Sequence, residues 1–265
     1  MTDGGGGFDG LAGAGGDGPA HTTASLGVPA GIRTVGPPPP GATRIVLVRH
    51  GEAECNVSGV CGGRLGCTGL TELGRRQVTL LRDRLALTGE LAGADVLYAS
   101  VLPRAVETAE VLAPALVADD AEGERAKAPG TVTECGLCEL HPGEADGLRW
   151  GEYTERFGTL DWDTDPHQAI APGGESWAGF VNRVADTLDV LAAAHPGQLV
   201  VVACHAGVIE ASLLAKLPVA GGLDGARLQL RTRHASLTTW EVDDGRWRLL
   251  GYNDASHLAV LDAAG

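Results

Sequence analysis

Residues 45–52 read Ile-Val-Leu-Val-Arg-His-Gly-Glu. Four apolar, mostly β-branched residues form a run that reads as a buried strand. The run stops at a cation, an imidazole and a glycine. In an open parallel sheet, ligands sit just beyond the carboxyl ends of the strands. Arg49 and His50 therefore stand where chemistry is usually done, and Gly51 lets the chain turn sharply. Taken alone, a histidine after a strand is more often a satisfied structural residue than a functional one, so the remaining strand ends decide.

A second apolar run, Leu199-Val-Val-Val-Ala-Cys204, stops at His205-Ala206-Gly207. A third strand is expected near 95–99, followed by Ser100-Val-Leu-Pro103 and a helix with Arg104 in its first turn. Proline is tolerated in a first helical turn. If these strands are parallel, two guanidiniums, two imidazoles and the positive end of a helix dipole converge at one edge of the sheet. That is an anion site of phosphate type. The competing interpretation pairs Arg49 and Arg104 with surface acids and leaves His50 and His205 unrelated.

Helices are expected after Thr71, as an N-cap, with Val78, Leu81 and Leu85 on one face. Others are expected around 148–157, over Glu175 to Ala194, and along the residues bearing Ile209, Leu213 and Leu217. Residues 51–70 read as a glycine-rich loop and 114–130 as irregular. Strands are expected near 131–135, 227–233, 236–242 and 246–252, with a hairpin turn at Asp243-Asp244-Gly245. Strands alternating with helices give an α/β layered domain. The expected fold class is a three-layer sandwich, a mostly parallel central sheet flanked by helices.

The chain has 265 residues and is 44% apolar, enough for a full core. Residues 1–41 are rich in Gly, Ala and Pro and end in four prolines. They are expected to be a disordered tail, because they cannot bury enough apolar surface to offset ordering. Residues 42–265 then form one folded domain, with no second boundary after residue 42. A formal net charge of -14 argues against nucleic acid or an anionic membrane as partner. No apolar run is long enough to span a bilayer, and the Met1-Thr2-Asp3 start lacks the marks of a secretory signal. The six cysteines then read as reduced thiols in a cytoplasmic chain. Cys135-Gly-Leu-Cys138 is a single CxxC, read as small core and loop residues rather than a zinc site.

Seven short blocks carry a resemblance. They are Arg49-His50-Gly51-Glu52 with Asn56; Leu70-Thr71-Glu72-Leu73-Gly74; Ser100-Val-Leu-Pro-Arg104-Ala-Val-Glu-Thr108; Glu139-Leu-His-Pro-Gly143-Glu144; Pro172-Gly-Gly-Glu175-Ser176; His205-Ala-Gly207; and Asn253-Asp-Ala-Ser-His257. In order and number they resemble the histidine phosphatase superfamily, the phosphoglycerate mutase-like family, over residues 44–258. The resemblance implies the phosphoglycerate mutase-like fold and a covalent phosphohistidine mechanism without metal or other cofactor. His50 would be the nucleophile. Arg49, Arg104 and His205 would hold the phosphoryl oxygens, and Asn56 would add a hydrogen bond. Glu139 would be the general acid and base, held protonated by a raised pKa, with Glu144 as the nearby rival. Glu52 is expected to orient the loop, His257 to be structural, and His141 to line the pocket beside Glu139. His234 has no assigned role.

The implied partner is a small phosphorylated metabolite, and homodimer formation is left open. Hydrolysis is one outcome, phosphoglycerate mutase-type transfer another, and a non-catalytic phospholigand-binding module a third. The short, acidic or neutral segment 114–130 lacks the basic insertion of dedicated mutases and favours hydrolysis. The loop 57–70 and Ala145 depart from the family pattern at the pocket mouth, where substrate choice is made.

Overall fold

The computed structural model describes residues 38–118, 128–217 and 230–262. The tail expected to be disordered therefore lies outside the described residues up to position 37. Its last residues form a turn, with Ala42 N–H donating to the Pro39 carbonyl at 3.0 Å.

Six strands make one sheet: β1 (Thr43–Arg49), β2 (Val96–Ala99), β3 (Thr131–Thr133), β4 (Leu199–Cys204), β5 (Leu237–Asp243) and β6 (Arg246–Asp254). Their order is β3-β2-β4-β1-β5-β6. The first four in that order run parallel, while β5 and β6 are antiparallel additions on one side. The sheet is thus mixed and mostly parallel, as expected. β1 and β4 are the buried apolar runs, and alternate residues serve opposite faces. Val46 and Val48 pack with Val78, Leu81 and Leu85 of helix α2 (Glu72–Thr88) and with Leu112 of α3 (Pro103–Leu112). Ile45 and Leu47 pack with Phe180, Val184 and Leu188 of α5 (Trp177–Ala194) and with Val208 and Ile209 of α6 (Ala206–Lys216). Each of these fully buried aliphatic side chains contributes about 1.5–3 kcal/mol by leaving water. The three layers follow from this two-sided burial.

The helix signals held locally. Thr71 Oγ1 accepts from Gly74 N at 2.9 Å, capping α2, and Ser176 caps α5 by accepting from Gly179 N. Helix α4 (Trp150–Phe157) falls in the expected window. The glycine-rich loop expected after β1 contains a helical turn, α1 (Glu54–Ser58). A last turn, α7 (Ala259–Asp262), ends the described chain.

The strand expected at 227–233 is not formed in its described part, residues 230–233; the rest lies outside the described residues. Side chains have taken the backbone groups a ladder would need. Asn253 Oδ1 accepts from Arg233 N at 2.7 Å and its Nδ2 donates to Arg231 O at 2.9 Å. Arg49 donates to Thr232 O. An alternating pattern cannot reveal such capture.

Candidate active site

The parallel order brings three strand ends side by side. His50 N donates to the Cys204 carbonyl at 2.9 Å, and Ser100 N donates to the Ala203 carbonyl at 3.0 Å. The residues after β1, β2 and β4 therefore share one rim. Arg104 enters from the first turn of α3, His205 from the start of α6. Gly51 is required here: a Cβ would lie 2.5 Å from the Gly74 carbonyl, so the loop after β1 passes directly against α2. Glu52 ties that loop down by accepting from Thr71 Oγ1 at 2.8 Å.

His50 is 3% exposed, and both its ring nitrogens are engaged. Nδ1 is 2.6 Å from the Gly51 carbonyl, which only accepts, so Nδ1 carries the proton. Nε2 faces Arg104 Nε at 3.1 Å, and a guanidinium only donates. The lone pair is therefore on Nε2. Burial, with Arg104 and Arg49 adding to it, holds the His50 pKa well below the ordinary histidine value. The imidazole is neutral at physiological pH.

His205 lies with its ring centroid 5.1 Å from that of His50 and is fully buried. Its Nε2 is 2.8 Å from Ser100 Oγ, while its buried Nδ1 has no hydrogen-bond partner. Burial first, then Arg104, also pushes its pKa well down. The two imidazoles expected as potential cations are thus neutral in the free protein, and the fixed positive charge comes from the guanidiniums. Arg104 Nη1 also donates to the Gly62 carbonyl at 2.7 Å. Arg49 donates to the Thr232 carbonyl and to His234 Nε2, the latter at 2.9 Å, and its buried Nε has no partner.

His234 is the site residue that sequence reading missed. Its ring centroid is 5.7 Å from His50, and burial together with Arg49 lowers its pKa to about 3. It reaches the site because Ala235, at φ 54°, turns the chain beneath β1, with Ala235 N donating to the Arg49 carbonyl. No local pattern announces that turn.

Glu139 lines the same cavity. Its Oε2 accepts from Gly207 N at 3.2 Å and its Oε1 from Leu140 N at 3.3 Å. A Cβ at Gly207 would meet Glu139 Oε1 at 2.1 Å, so a larger residue there would displace this carboxylate. Asn56 also lines the cavity, and its Oδ1 is used locally by Ala53 N at 3.0 Å. The rival Glu144 is exposed and accepts from Arg156 at 2.7 Å, away from the lining. His141 does not line this cavity but an adjoining one. His257 is buried away from the pocket, in the turn after β6.

The cavity is about 440 Å³. Its floor is Arg49, His50 and Arg104. Its walls are largely apolar: Leu140, Ile170, Trp150, Trp162 and Trp177. The last two indoles stack, centroids 5.8 Å apart. Among the described residues, no cation other than Arg49 and Arg104 lines it. A neutral nucleophilic nitrogen beside two guanidiniums fits chemistry at a phosphoryl centre.

The comparisons agree with this chemistry. Residues 45–255 match the model of the histidine phosphatase superfamily, branch 1. The chain belongs to that superfamily. This histidine phosphatase is 29% identical over 222 residues to the metal-independent phosphoserine phosphatase of Arabidopsis thaliana, covering 83% of this chain and 84% of the relative. It is 29% identical to the solved mycobacterial glucosyl-3-phosphoglycerate phosphatase, with a TM-score of 0.61 over 79% of this chain and 98% of the other. A phosphoglycerate mutase from Bacillus anthracis, 20% identical, shares the fold with a TM-score of 0.65, over 83% of this chain and 96% of the other. Among the described residues, no helix is long and apolar enough to cross a membrane.

Proposed function

We propose that this chain is a metal-independent phosphomonoester hydrolase in which the phosphoryl group passes through Nε2 of His50. The observation that carries the reading is the fixed tautomer of His50, with its lone pair on the nitrogen that faces Arg104. An entering phosphoryl group takes the Arg104 donors onto its oxygens and leaves that lone pair for in-line attack. The P–N bond forms as the ester P–O bond breaks, and Glu139 gives its proton to the leaving alkoxide. Glu139 then takes a proton from water as that water's oxygen attacks phosphorus. The P–N bond breaks and inorganic phosphate leaves.

Arg49, Arg104 and His205 hold the nonbridging oxygens, where the transition-state charge is spread. The unpartnered Nδ1 of His205 and Nε of Arg49 are buried polar groups that a phosphoryl oxygen satisfies. A dianion here reverses the balance that keeps His205 neutral. Its imidazolium then donates through Nδ1 to the ligand and through Nε2 to Ser100. Asn56 contributes its remaining amide donor, and His234 positions Arg49. The six free cysteines suit a reducing cytoplasm.

The walls select the leaving group. Phosphoserine and phosphoglycerate bring a carboxylate that needs a second cation, and the described lining offers none beyond Arg49 and Arg104. The indoles offer flat faces. We therefore assign an uncharged, ring-bearing leaving group, which also favours hydrolysis over mutase transfer. Phosphate release from p-nitrophenyl phosphate and sugar monophosphates, in EDTA, is expected to exceed release from phosphoserine in kcat/KM. Activity that disappears with chelator and returns with metal would refute the mechanism.

Glu139→Gln is expected to lower kcat by about 10²–10⁴-fold for an aliphatic leaving group. The first step loses far less with p-nitrophenolate, which departs without a proton. Glu144→Gln leaves both unchanged, because its ion pair with Arg156 is exposed. Equal losses for both leaving groups in pre-steady-state release would remove Glu139 from the acid role.

A further inference from the structure

Beside the active site, the loop after β3 carries a group of side chains that the phosphatase mechanism does not use. Cys135 and Cys138 have their Sγ atoms 3.5 Å apart, and His141 Nε2 is 3.6 Å from Cys135 Sγ. All three donor atoms lie within 4.8 Å of one another. The CxxC is therefore a C-x-x-C-x-x-H array.

We propose that Cys135, Cys138 and His141 form a three-ligand site for a soft divalent cation of the zinc class, its fourth position open to solvent in the adjoining cavity. The spacing fits. Tetrahedral zinc, with bonds of about 2.3 Å to sulfur and 2.0 Å to nitrogen, sets its ligands about 3.5–3.8 Å apart. Two thiolates and an imidazole select zinc over magnesium or calcium, which take oxygen.

The surroundings hold the array ready. His141 turns Nε2 toward the sulfurs and Nδ1 toward Glu175 Oε2, at 3.5 Å. A carboxylate behind the distal nitrogen is the arrangement that fixes the tautomer of a metal-bound histidine. The same Glu175 oxygen accepts from His141 N at 2.9 Å, and Arg183 clamps the carboxylate through Nε and Nη2, each at 2.8 Å. Arg183 Nη1 also donates to the Gly136 carbonyl at 2.8 Å and the Cys138 carbonyl at 3.1 Å. One guanidinium therefore fastens the loop bearing both thiols and the carboxylate that orients the imidazole. Arg64 Nη2, 3.7 Å from Cys135 Sγ, offsets part of the negative charge of two thiolates.

Access comes from a separate cavity of about 380 Å³, lined by Arg64, Cys135, Cys138, His141 and Asp146. Asp146 is already committed to Leu65 N and Gly66 N, both at 2.9 Å, which leaves the fourth position to water. Glu139 lies between the second and third ligands in the chain, so a bound ion restrains the loop that presents it. This site does not depend on the phosphatase reading.

The test is a cobalt titration of the whole chain, stripped with chelator and kept reduced by a phosphine, with all six thiols confirmed reactive after unfolding. The expected result is tetrahedral cobalt absorption with a thiolate charge-transfer band, saturating at about one equivalent and bleached by zinc. Cys135→Ser is expected to lose about half of the charge-transfer intensity and to stop saturating at one equivalent. His141→Ala is expected to weaken binding by at least about tenfold. Both variants keep phosphate release in metal-free buffer, which confirms folding. Zinc raises the thermal midpoint of the unsubstituted protein and not that of Cys135→Ser, since an ion that binds only the folded state stabilises it. No tetrahedral spectrum in the fully reduced protein would overturn the site. So would a spectrum unchanged in both variants, which would place the ion on other cysteines.

Discussion

His50→Ala is expected to lower kcat by about 10⁴-fold or more, with inorganic phosphate still binding as a product inhibitor. The size of the loss follows from what His50 supplies. Its Nε2 lone pair is the group that bonds phosphorus, and its tautomer is fixed by the Gly51 carbonyl and Arg104. His205 is adjacent, but its Nε2 is committed to Ser100. The guanidiniums remain in the variant, so the phosphate site survives. The unsubstituted protein, quenched during turnover of a labelled monoester, should carry label that is stable to base and released by acid, as a P–N bond requires. His50→Ala should carry none. A variant that turns over at the unsubstituted rate, or label that base removes, would move the covalent step to another residue.

The strand-end residues were legible because a strand buried on both faces is written as a continuous apolar run, and its end can be read directly. Ile45–Val48 and Leu199–Cys204 announced themselves in this way, and their parallel pairing delivered Arg49, His50 and His205 to one rim. Arg104 was legible through the proline that starts its helix. Glu139 was preferred to Glu144 only through the resemblance, because four residues separate them in the chain; the fold lines the cavity with Glu139 and leaves Glu144 in an exposed ion pair. His234 was hidden for a different reason. Its position depends on a positive φ at Ala235, a residue type that gives no hint of one. The charge state was hidden too. Sequence counts two imidazoles as potential cations, whereas burial and neighbouring guanidiniums hold both neutral in the free protein. His141 could have been found: it lies three positions after Cys138, the same step that leads from Cys135 to Cys138.

Arg104→Gln is expected to lower kcat/KM by about 10³-fold or more and, more tellingly, to move its pH dependence. Arg104 does three things at once. It donates to His50 Nε2 at 3.1 Å, it holds the Gly62 carbonyl at 2.7 Å, and it is the neighbouring charge that contributes most to lowering the His50 pKa, after burial. Glutamine keeps a donor but removes the charge. The sign then follows. With that cation gone, protonated His50 is less disfavoured, its pKa rises toward the ordinary histidine value, and the nucleophile is lost at a higher pH. The acid limb of kcat/KM, which lies below the usual histidine range in the unsubstituted protein, is expected to shift upward in Arg104→Gln. Arg104→Lys restores the charge without the planar fork, so it should return the limb toward its original position while recovering only part of the rate. A merely loosened loop would reduce the rate of both variants and leave the limb where it was. That result, with unfolding midpoints matched, would deny Arg104 its electrostatic hold on His50.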